Sequence, residues 1–370
     1  MRVLFLTDQR QTAFGRPDAY TTRIEGLRQG LEALGVQTDL LSLRLLRFSR
    51  PHLIFALNAP VIARQAQGYD AIHAAGAGPA VAASVARSGH AHRVIFDVHG
   101  DEQLETRLEW QAHPTPRTAY LALQATLLTA VAHRLADCFL VVSEPFRQRY
   151  VEKGVAPERI VTVRNGVDTA AFRPAASRRD QRTRVCYAGG FQTWQAIDIL
   201  VDAFAQAAWG NLHFHLIGFS PQDQPLKASI AARLGKRATL EDWLPIHELV
   251  NRLSQADVLI IPRTQHPAMR GGLPSKFAEY LAMGKPLIVT DVDETADFVR
   301  RFDCGLVCEP TAEGLAQAVG QAAAWSEIER LTMGCNARRL AESVFDWRVV
   351  VREYADALRS MIAARGTSHA

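Results

Sequence analysis

One rhythm constrains this chain more than any other feature: short apolar runs alternate with stretches long enough for a helix, and the whole alternation occurs twice. Residues 3–7, 37–43, 71–75, 94–98, 139–143 and 160–163 carry the runs of the first half, and a helix fits over 20–34 before Gly35. Such alternation belongs to parallel sheets joined by crossover helices. Runs without polar alternation belong to strands covered on both faces. Asn165-Gly166, Pro174 and the basic run SRRDQRTR then read as turn and linker across 165–184. Further runs follow at 185–188, 213–217, 238–240, 258–261, 287–290 and 305–307, with a loop at 189–195 and a helix through Trp209. The closing helical stretch, 346–362, has no strand after it.

At 370 residues the chain exceeds the ~250–300 at which one core stops growing, so the repeat implies two α/β domains. Two Rossmann-like domains with a cleft between them are expected, divided as 1–170, 171–345 and a closing helix in 346–370. Ligands of such sheets sit beyond the carboxyl ends of the strands. With 48% hydrophobic and 22% charged residues, disordered and fibrous classes are excluded. The surplus of 42 basic over 38 acidic residues is only +4, too small to imply nucleic acid as a partner. Five scattered cysteines, an odd number, fit free thiols in a reducing compartment. The N-terminus MRVLFLTDQ reads as a strand rather than a signal peptide. The longest apolar stretch, 118–133, is broken by Gln124 and threonines and is too short to span a bilayer. A cytoplasmic protein is expected.

Several familiar motifs fail. Gly76-Ala77-Gly78 lacks the third glycine of a dinucleotide fingerprint, since Val81 stands there, and Gly284-Lys285-Pro286 is not a P-loop. Cys304 and Cys308 have no second ligand pair nearby, and His213 with His215 lacks a third ligand. Asp291-Val292-Asp293 has the letters of a metal-binding acid pair, but a strand followed by an acidic turn yields the same letters. No metal site is expected. The informative stretch is LPSKFAEYLAMGKPLIVTD, residues 273–291. Pro274 opens a helix whose first turn holds Ser275 and Lys276. That turn offers free N–H groups and partial positive charge to an anion. A lysine there opposes the helix dipole and asks for a compensating anion. Glu279 lies on nearly the same face. A cation for phosphate beside a carboxylate for ribose hydroxyls suits a nucleoside diphosphate. A surface ion pair between Lys276 and Glu279 accounts for the spacing equally well.

In its order of blocks the chain resembles a retaining glycosyltransferase of the GT-B fold, family 4. ADCFLVVSEPFRQRYVEKGVAPERIVTVRNGVDTAAFRP, with Ser143, Asn165-Gly166-Val167-Asp168 and Phe172, is similar to the family's most recognisable block. RVCYAGGFQTWQAIDILVDAF resembles the opening of its nucleotide domain, LSQADVLIIP and PSKFAEYLAMGKPLIVTD its donor-binding half, and FDWRVVVREYADAL its returning helix. The resemblance makes 1–170 the acceptor-binding domain and 171–345 the nucleotide-sugar-binding domain. It implies transfer of a sugar, with retention, from a nucleotide-diphosphate-sugar to an acceptor hydroxyl on a glycan, glycolipid or small molecule, in polysaccharide or glycoconjugate biosynthesis. The nucleotide-sugar is a co-substrate, and no other cofactor and no metal is implied.

By that resemblance Glu279 binds the ribose, while the first glutamate of the family pair would fall at Gly271 and is missing, leaving Arg270 or the backbone at Gly272 and Leu273 in its place. Ser275 and Lys276 face the diphosphate. Gly190 and Gln192 lie in the donor loop, where Phe191 and Gln195 replace the family's arginine and lysine and Trp194 fits a variant. Lys276, Arg263 or Arg270 would then supply the missing charge. Gly15, flanked by Arg10 and Arg16, lets backbone approach the diphosphate. His99 resembles the histidine that contacts the donor sugar, against a plain turn residue, and Asp97, Asp101 and Glu102 are acceptor-side candidates. The segment from Arg44 to Phe55, RLLRFSRPHLIF, reads as a half-buried helix or as a docking face for the inner leaflet and a lipid-linked acceptor. Two alternatives keep the fold: a catalytically silent nucleotide-sugar-binding protein, and another enzyme such as a nucleotide-sugar epimerase. A membrane-docked scaffold is the third.

Overall fold

Every apolar run of the sequence becomes a strand, and three of them, at 71–75, 258–261 and 287–290, do so to the residue. The structure is a computed structural model and describes residues 1–8, 19–46, 52–87, 92–175, 182–206 and 211–363. The first unit runs β1 (Arg2–Thr7), α1 (Ala19–Ala33), β2 (Gln37–Ser42), α2 (Ala59–Gln65), β3 (Ala71–Ala75), α3 (Ala77–Ala86), β4 (Arg93–Val98), α4 (Glu102–Ala112), α5 (Pro116–Leu135), β5 (Cys138–Val141), α6 (Glu144–Glu152) and β6 (Ile160–Thr162). The second runs β7 (Thr183–Ala188), α7 (Ile197–Gln206), β8 (Leu212–Phe219), α8 (Gln224–Leu234), β9 (Ala238–Asp242), α9 (Ile246–Ser254), β10 (Val258–Ile261), α10 (Ser275–Ala282), β11 (Leu287–Thr290), α11 (Glu294–Phe302), β12 (Gly305–Cys308), α12 (Ala312–Ala323) and α13 (Glu327–Leu340).

Each unit holds one wholly parallel six-stranded sheet, ordered β2-β1-β3-β4-β5-β6 in the first and β12-β11-β10-β7-β8-β9 in the second. The order reverses between β1 and β3 in one sheet and between β7 and β10 in the other. At such reversals the crossovers leave toward opposite faces and open a crevice at the strand ends. Gly166–Asp346 forms the second unit, so residues 166–170 fall with it rather than with the first. The cause is local: Val167 pairs with Asp346, and the Thr169 hydroxyl donates to the Asp346 carboxylate.

The closing helix, α14 (Trp347–Ala363), returns to the first unit and packs against α1. Gly26 and Gly30, one turn apart on α1, make the notch that receives it. A methyl carbon at Gly26 would lie 2.4 Å from the Trp347 ring, and one at Gly30 2.4 Å from Val351. Val350, Val351, Tyr354 and Leu358 of α14 join Ile24, Leu27 and Leu31 of α1 in a single apolar cluster. No helix among the described residues is long and apolar enough to cross a membrane. All five cysteines are free thiols.

Candidate functional site

In the second unit, the reversal between β7 and β10 is where the phosphate-binding candidate settles. Lys276 and Tyr280 are four residues apart on α10, so both reach the carboxyl end of β7 from one helix face. The Tyr280 hydroxyl accepts from the Ala188 amide at 2.6 Å and donates to the Ala188 carbonyl at 3.1 Å, fixing the last residue of the strand. Lys276, 8% exposed, extends beyond it over the next loop. Its ammonium donates to the Tyr187 hydroxyl at 2.8 Å and to Gln195 Oε1 at 3.2 Å, and lies 4.1 Å from the Tyr187 ring centre. The Tyr187 hydroxyl in turn donates a hydrogen bond to the Gly190 carbonyl. A side chain at Gly189 would begin 2.3 Å from Nζ, so only glycine lets the ammonium lie against that backbone.

Lys276 is thus a buried cation anchored on strand and loop. Glu279 lies half-buried further along α10. The exchange of Phe191 and Gln195 for two cations acquires a local meaning. Phe191 stacks on Phe219 with ring centres 4.1 Å apart, an apolar role, and Gln195 is an acceptor for Lys276. The exposed Gln192 side chain folds over Gly190.

Ahead of α10, Arg270 is exposed, Leu273 is buried so that only its backbone can meet a ligand, and Gly272 lies against Arg263 Nη2. Arg263 is itself 6% exposed and pairs with Asp293 at 3.3 Å. Burial pushes the Asp293 carboxyl up, and Arg263 opposes that. Asp293 also caps α11, and Asp291 pairs with Arg300. His213 bonds Thr239 and His215 faces Glu241. Among the described residues no group of three or more His, Cys, Asp or Glu side chains is placed to hold a metal.

In the first unit, polar chemistry gathers where β4 ends. Asp97 is fully buried and gathers three cationic or ring donors. Arg23 reaches it with Nε at 3.0 Å and Nη2 at 2.9 Å, His73 Nε2 at 3.0 Å, and His99 Nε2 at 2.9 Å. Burial alone would raise this carboxyl; Arg23, His99 and His73 outweigh it and hold it well below the usual carboxylate range. Asp97 is therefore ionised, and both imidazoles donate to it from Nε2. Arg23 Nη1 goes on to the Arg164 carbonyl at 2.9 Å, and His73 Nδ1 accepts from the Tyr354 hydroxyl of α14 at 2.7 Å.

Asp97 is consequently corrected from an acceptor-side residue to a positioning residue, because its oxygens are buried and engaged by Arg23, His73 and His99. Asp101 is corrected similarly: it caps α4 through the Leu104 amide and pairs with Arg149 at 2.8 Å. His99, with 9% of its side chain exposed, stacks flat on Tyr20 at 3.8 Å between ring centres. Its Nδ1 has no partner among the described residues. Burial lowers the pKa of His99 and Asp97 only partly offsets this, so Nδ1 presents a lone pair. The Tyr20 hydroxyl donates to Glu102 at 2.9 Å, and burial pushes Glu102 up to about 7.

Gly15, Arg10 and Arg16 lie outside the described residues, as do Arg47 and Arg50. Of the segment from Arg44 to Phe55, the Arg44 guanidinium donates to the Asp8 carbonyl and Phe55 is 1% exposed. Phe55 is a core residue beside Gly78, not a group held out toward lipid. Arg23, His73, Tyr354, Tyr20 and Tyr187 went unread in the sequence. Arg23 alone left a signal, since it occupies the stripe of Leu27 and Leu31 where an apolar residue belongs.

Residues 16–171 match the family described as Glycosyltransferase Family 4, and residues 182–324 match that described as Glycosyl transferases group 1. The lipopolysaccharide glucosyltransferase WaaG of Escherichia coli K12 is 22% identical over 203 residues, 54% of this chain and 53% of that protein. The chain thus spans about half the length of that curated relative. Among solved structures, sucrose-phosphate synthase from Thermosynechococcus elongatus superposes with a TM-score of 0.78 at 19% identity, covering 98% of this chain and 100% of that one. Anabaena Alr3699/HepE in complex with UDP-glucose superposes at 0.72 and 17% identity, covering 97% and 100%.

Proposed function

Because the chain belongs to glycosyltransferase family 4, we propose that it moves a sugar from a nucleotide-diphosphate-sugar to an acceptor hydroxyl with retention at the anomeric carbon. The observation that carries the reading is the placement of Lys276: in the first turn of α10, at the point where the sheet order reverses, with its ammonium over the Gly189-Gly190 backbone. Ligands of parallel sheets lie at that kind of reversal. Free amides of a helix start add to the lysine's charge for a diphosphate. Glu279 on the same helix is assigned to the ribose. The complex of Alr3699/HepE with UDP-glucose supports the donor class, and the lipopolysaccharide on which WaaG acts supports a glycan or glycolipid acceptor.

In this reading the acceptor oxygen bonds to the anomeric carbon on the face that the leaving phosphate vacates. The carbon–oxygen bond to the diphosphate breaks, and a phosphate oxygen takes the acceptor proton. Negative charge builds on that diphosphate, where Lys276 and the amides of the α10 turn stabilise it without a metal. His99 touches the donor sugar. Asp97 holds the proton on Nε2, so Nδ1 accepts from a sugar hydroxyl that must be the donor. We place the protein in the cytoplasm, which its free cysteines fit.

A thermal-shift screen of uridine, guanosine, adenosine and thymidine diphosphates and their sugars identifies the donor as the compound that raises the melting temperature. Lys276→Ala should abolish that shift and cut transfer at least about a hundredfold, since ~3 kcal/mol of charge stabilisation is lost. Near-normal turnover by that variant would sink the assignment. The missing glutamate at Gly271 and the apolar Phe191 favour one other reading, a silent nucleotide-sugar binder. Binding without turnover, across a panel of acceptors, would select it.

A further inference from the structure

A cavity of about 590 Å³ opens in the first unit, at the amino ends of β4, β5 and β6. Arg93 and Cys138 begin their strands there, Arg159 stands just before β6, and Ala357 and Met361 of α14 form the facing wall. His99 follows the opposite end of β4, and strand geometry puts roughly 16 Å between Arg93 and Val98. Every lining residue belongs to the first unit, whereas Lys276 belongs to the second. The cavity is therefore separate from both sites already described.

Its charges do not close on themselves. Asp137 is engaged by the Arg87 guanidinium and by the Val94 amide at 2.8 Å. Arg159 gives Nε to the Asp137 carbonyl at 2.9 Å and Nη2 to the Ala136 carbonyl at 2.6 Å, bonds that aim the guanidinium and leave its charge uncancelled. Arg93 makes no side-chain hydrogen bond and no ion pair among the described residues, and its Nε is buried without an acceptor. Buried donors are nearly always matched, so an unmatched one calls for an explanation. Both arginines act on the Cys138 thiol and pull its pKa down, but burial outweighs them and raises it, so the thiol stays neutral between two cations. Glu158, the other acid of the lining, is exposed. Cys138, Val161, Ala357 and Met361 supply an apolar surface beside the two guanidinium groups. A bare anion would leave that surface wet, and a neutral apolar molecule would leave Arg93 unmatched. The volume falls within the ~300–1,000 Å³ of small-molecule sites. We propose that this cavity binds a small organic oxyanion, a carboxylate or phosphate carried on an apolar body, with Arg93 and Arg159 holding the charged end. The site goes beyond the sugar-transfer reading. Its ligand lies against α14, the helix by which the chain re-enters the first unit after Asp346.

Calorimetry on the full chain tests the inference with phenyl phosphate and benzoate, against inorganic phosphate and benzyl alcohol as controls. At least one of the first two should bind, and the tighter of them shows whether phosphate or carboxylate is the preferred charged group. Each control lacks one half of the ligand and should bind about tenfold more weakly or worse. Arg93→Met should weaken the better ligand by about tenfold or more, the loss of a charge-assisted contact. That arginine abandons no partner, so the melting temperature and the response to nucleotide-sugars should match the wild type. Ala357→Phe, which sets a ring against the apolar wall, should block the same ligand. Failure of both organic anions to bind, or unchanged binding by Arg93→Met, overturns the proposal. So does inorganic phosphate binding as tightly as phenyl phosphate. Displacement of the ligand by the nucleoside diphosphate that stabilises the fold also overturns it, because the anion then sits at Lys276, and the donor reading would survive.

Discussion

The two units carry their polar groups in opposite ways. In the first, Asp97 and Arg23 are both buried and neutralise each other, with His73 and His99 completing the circuit. In the second, the partners that hold Lys276 in place, Tyr187 and Gln195, are neutral, so neither cancels its charge. A closed circuit of charges fixes geometry. Hydrogen bonds to neutral groups orient a cation without cancelling its charge. The first arrangement suits orientation of one imidazole, and the second suits capture of an anion.

Removing one charge from each unit should separate these roles. Asp97→Ala strands Arg23 in the core and should cost about 3–5 kcal/mol of stability, measured by urea unfolding. Lys276→Met should cost less than about 1.5 kcal/mol, because its hydrogen bonds to Tyr187 and Gln195 are to neutral groups. Equal losses would erase the contrast. A smaller effect probes the far arm of the first circuit. Tyr354→Phe leaves His73 Nδ1 without its donor and should cost about 1–2 kcal/mol in the same experiment; no loss would mean that the α14 end of the circuit is idle.

A last test concerns pH. Glu102 titrates at about 7 in the folded chain, above the value of about 4.3 for an unfolded glutamate. Between those values the folded state binds the extra proton. Its contribution to stability is therefore full below that window and is lost as pH rises through about 7. Wild-type stability should fall over this range more steeply than that of Glu102→Gln. Matching slopes would show that Glu102 titrates elsewhere.

How far the sequence carried differs between the same two sites. The grouping of Pro274, Ser275, Lys276 and Glu279 was legible because they are neighbours in the chain, and helix geometry alone brings them to the first two turns of α10. The Asp97 circuit was not, because Arg23, His73, Asp97 and Tyr354 come from α1, β3, β4 and α14 and meet only once the sheet and its last helix assemble. Asp97 therefore read as an open carboxylate beside His99. The strands were legible from apolar runs covered on both faces. The segment from Arg44 to Phe55 was not, because mixed arginine and apolar letters do not say which side faces the core, and Phe55 went inward. Phe191 and Gln195 read as losses of charge; only their contacts, a stacked ring and an acceptor for Lys276, revealed what took its place.

The notch at Gly26 and Gly30 sets an order of events in the cell. A ribosome delivers α1 early and α14 roughly three hundred residues later, which at ~5–20 residues per second is tens of seconds. Throughout that interval the first sheet lacks its covering helix and shows the nascent chain's surroundings a greasy furrow. Maturation of the first unit therefore waits on α14 to leave the exit tunnel, and chaperones have that long to hold it.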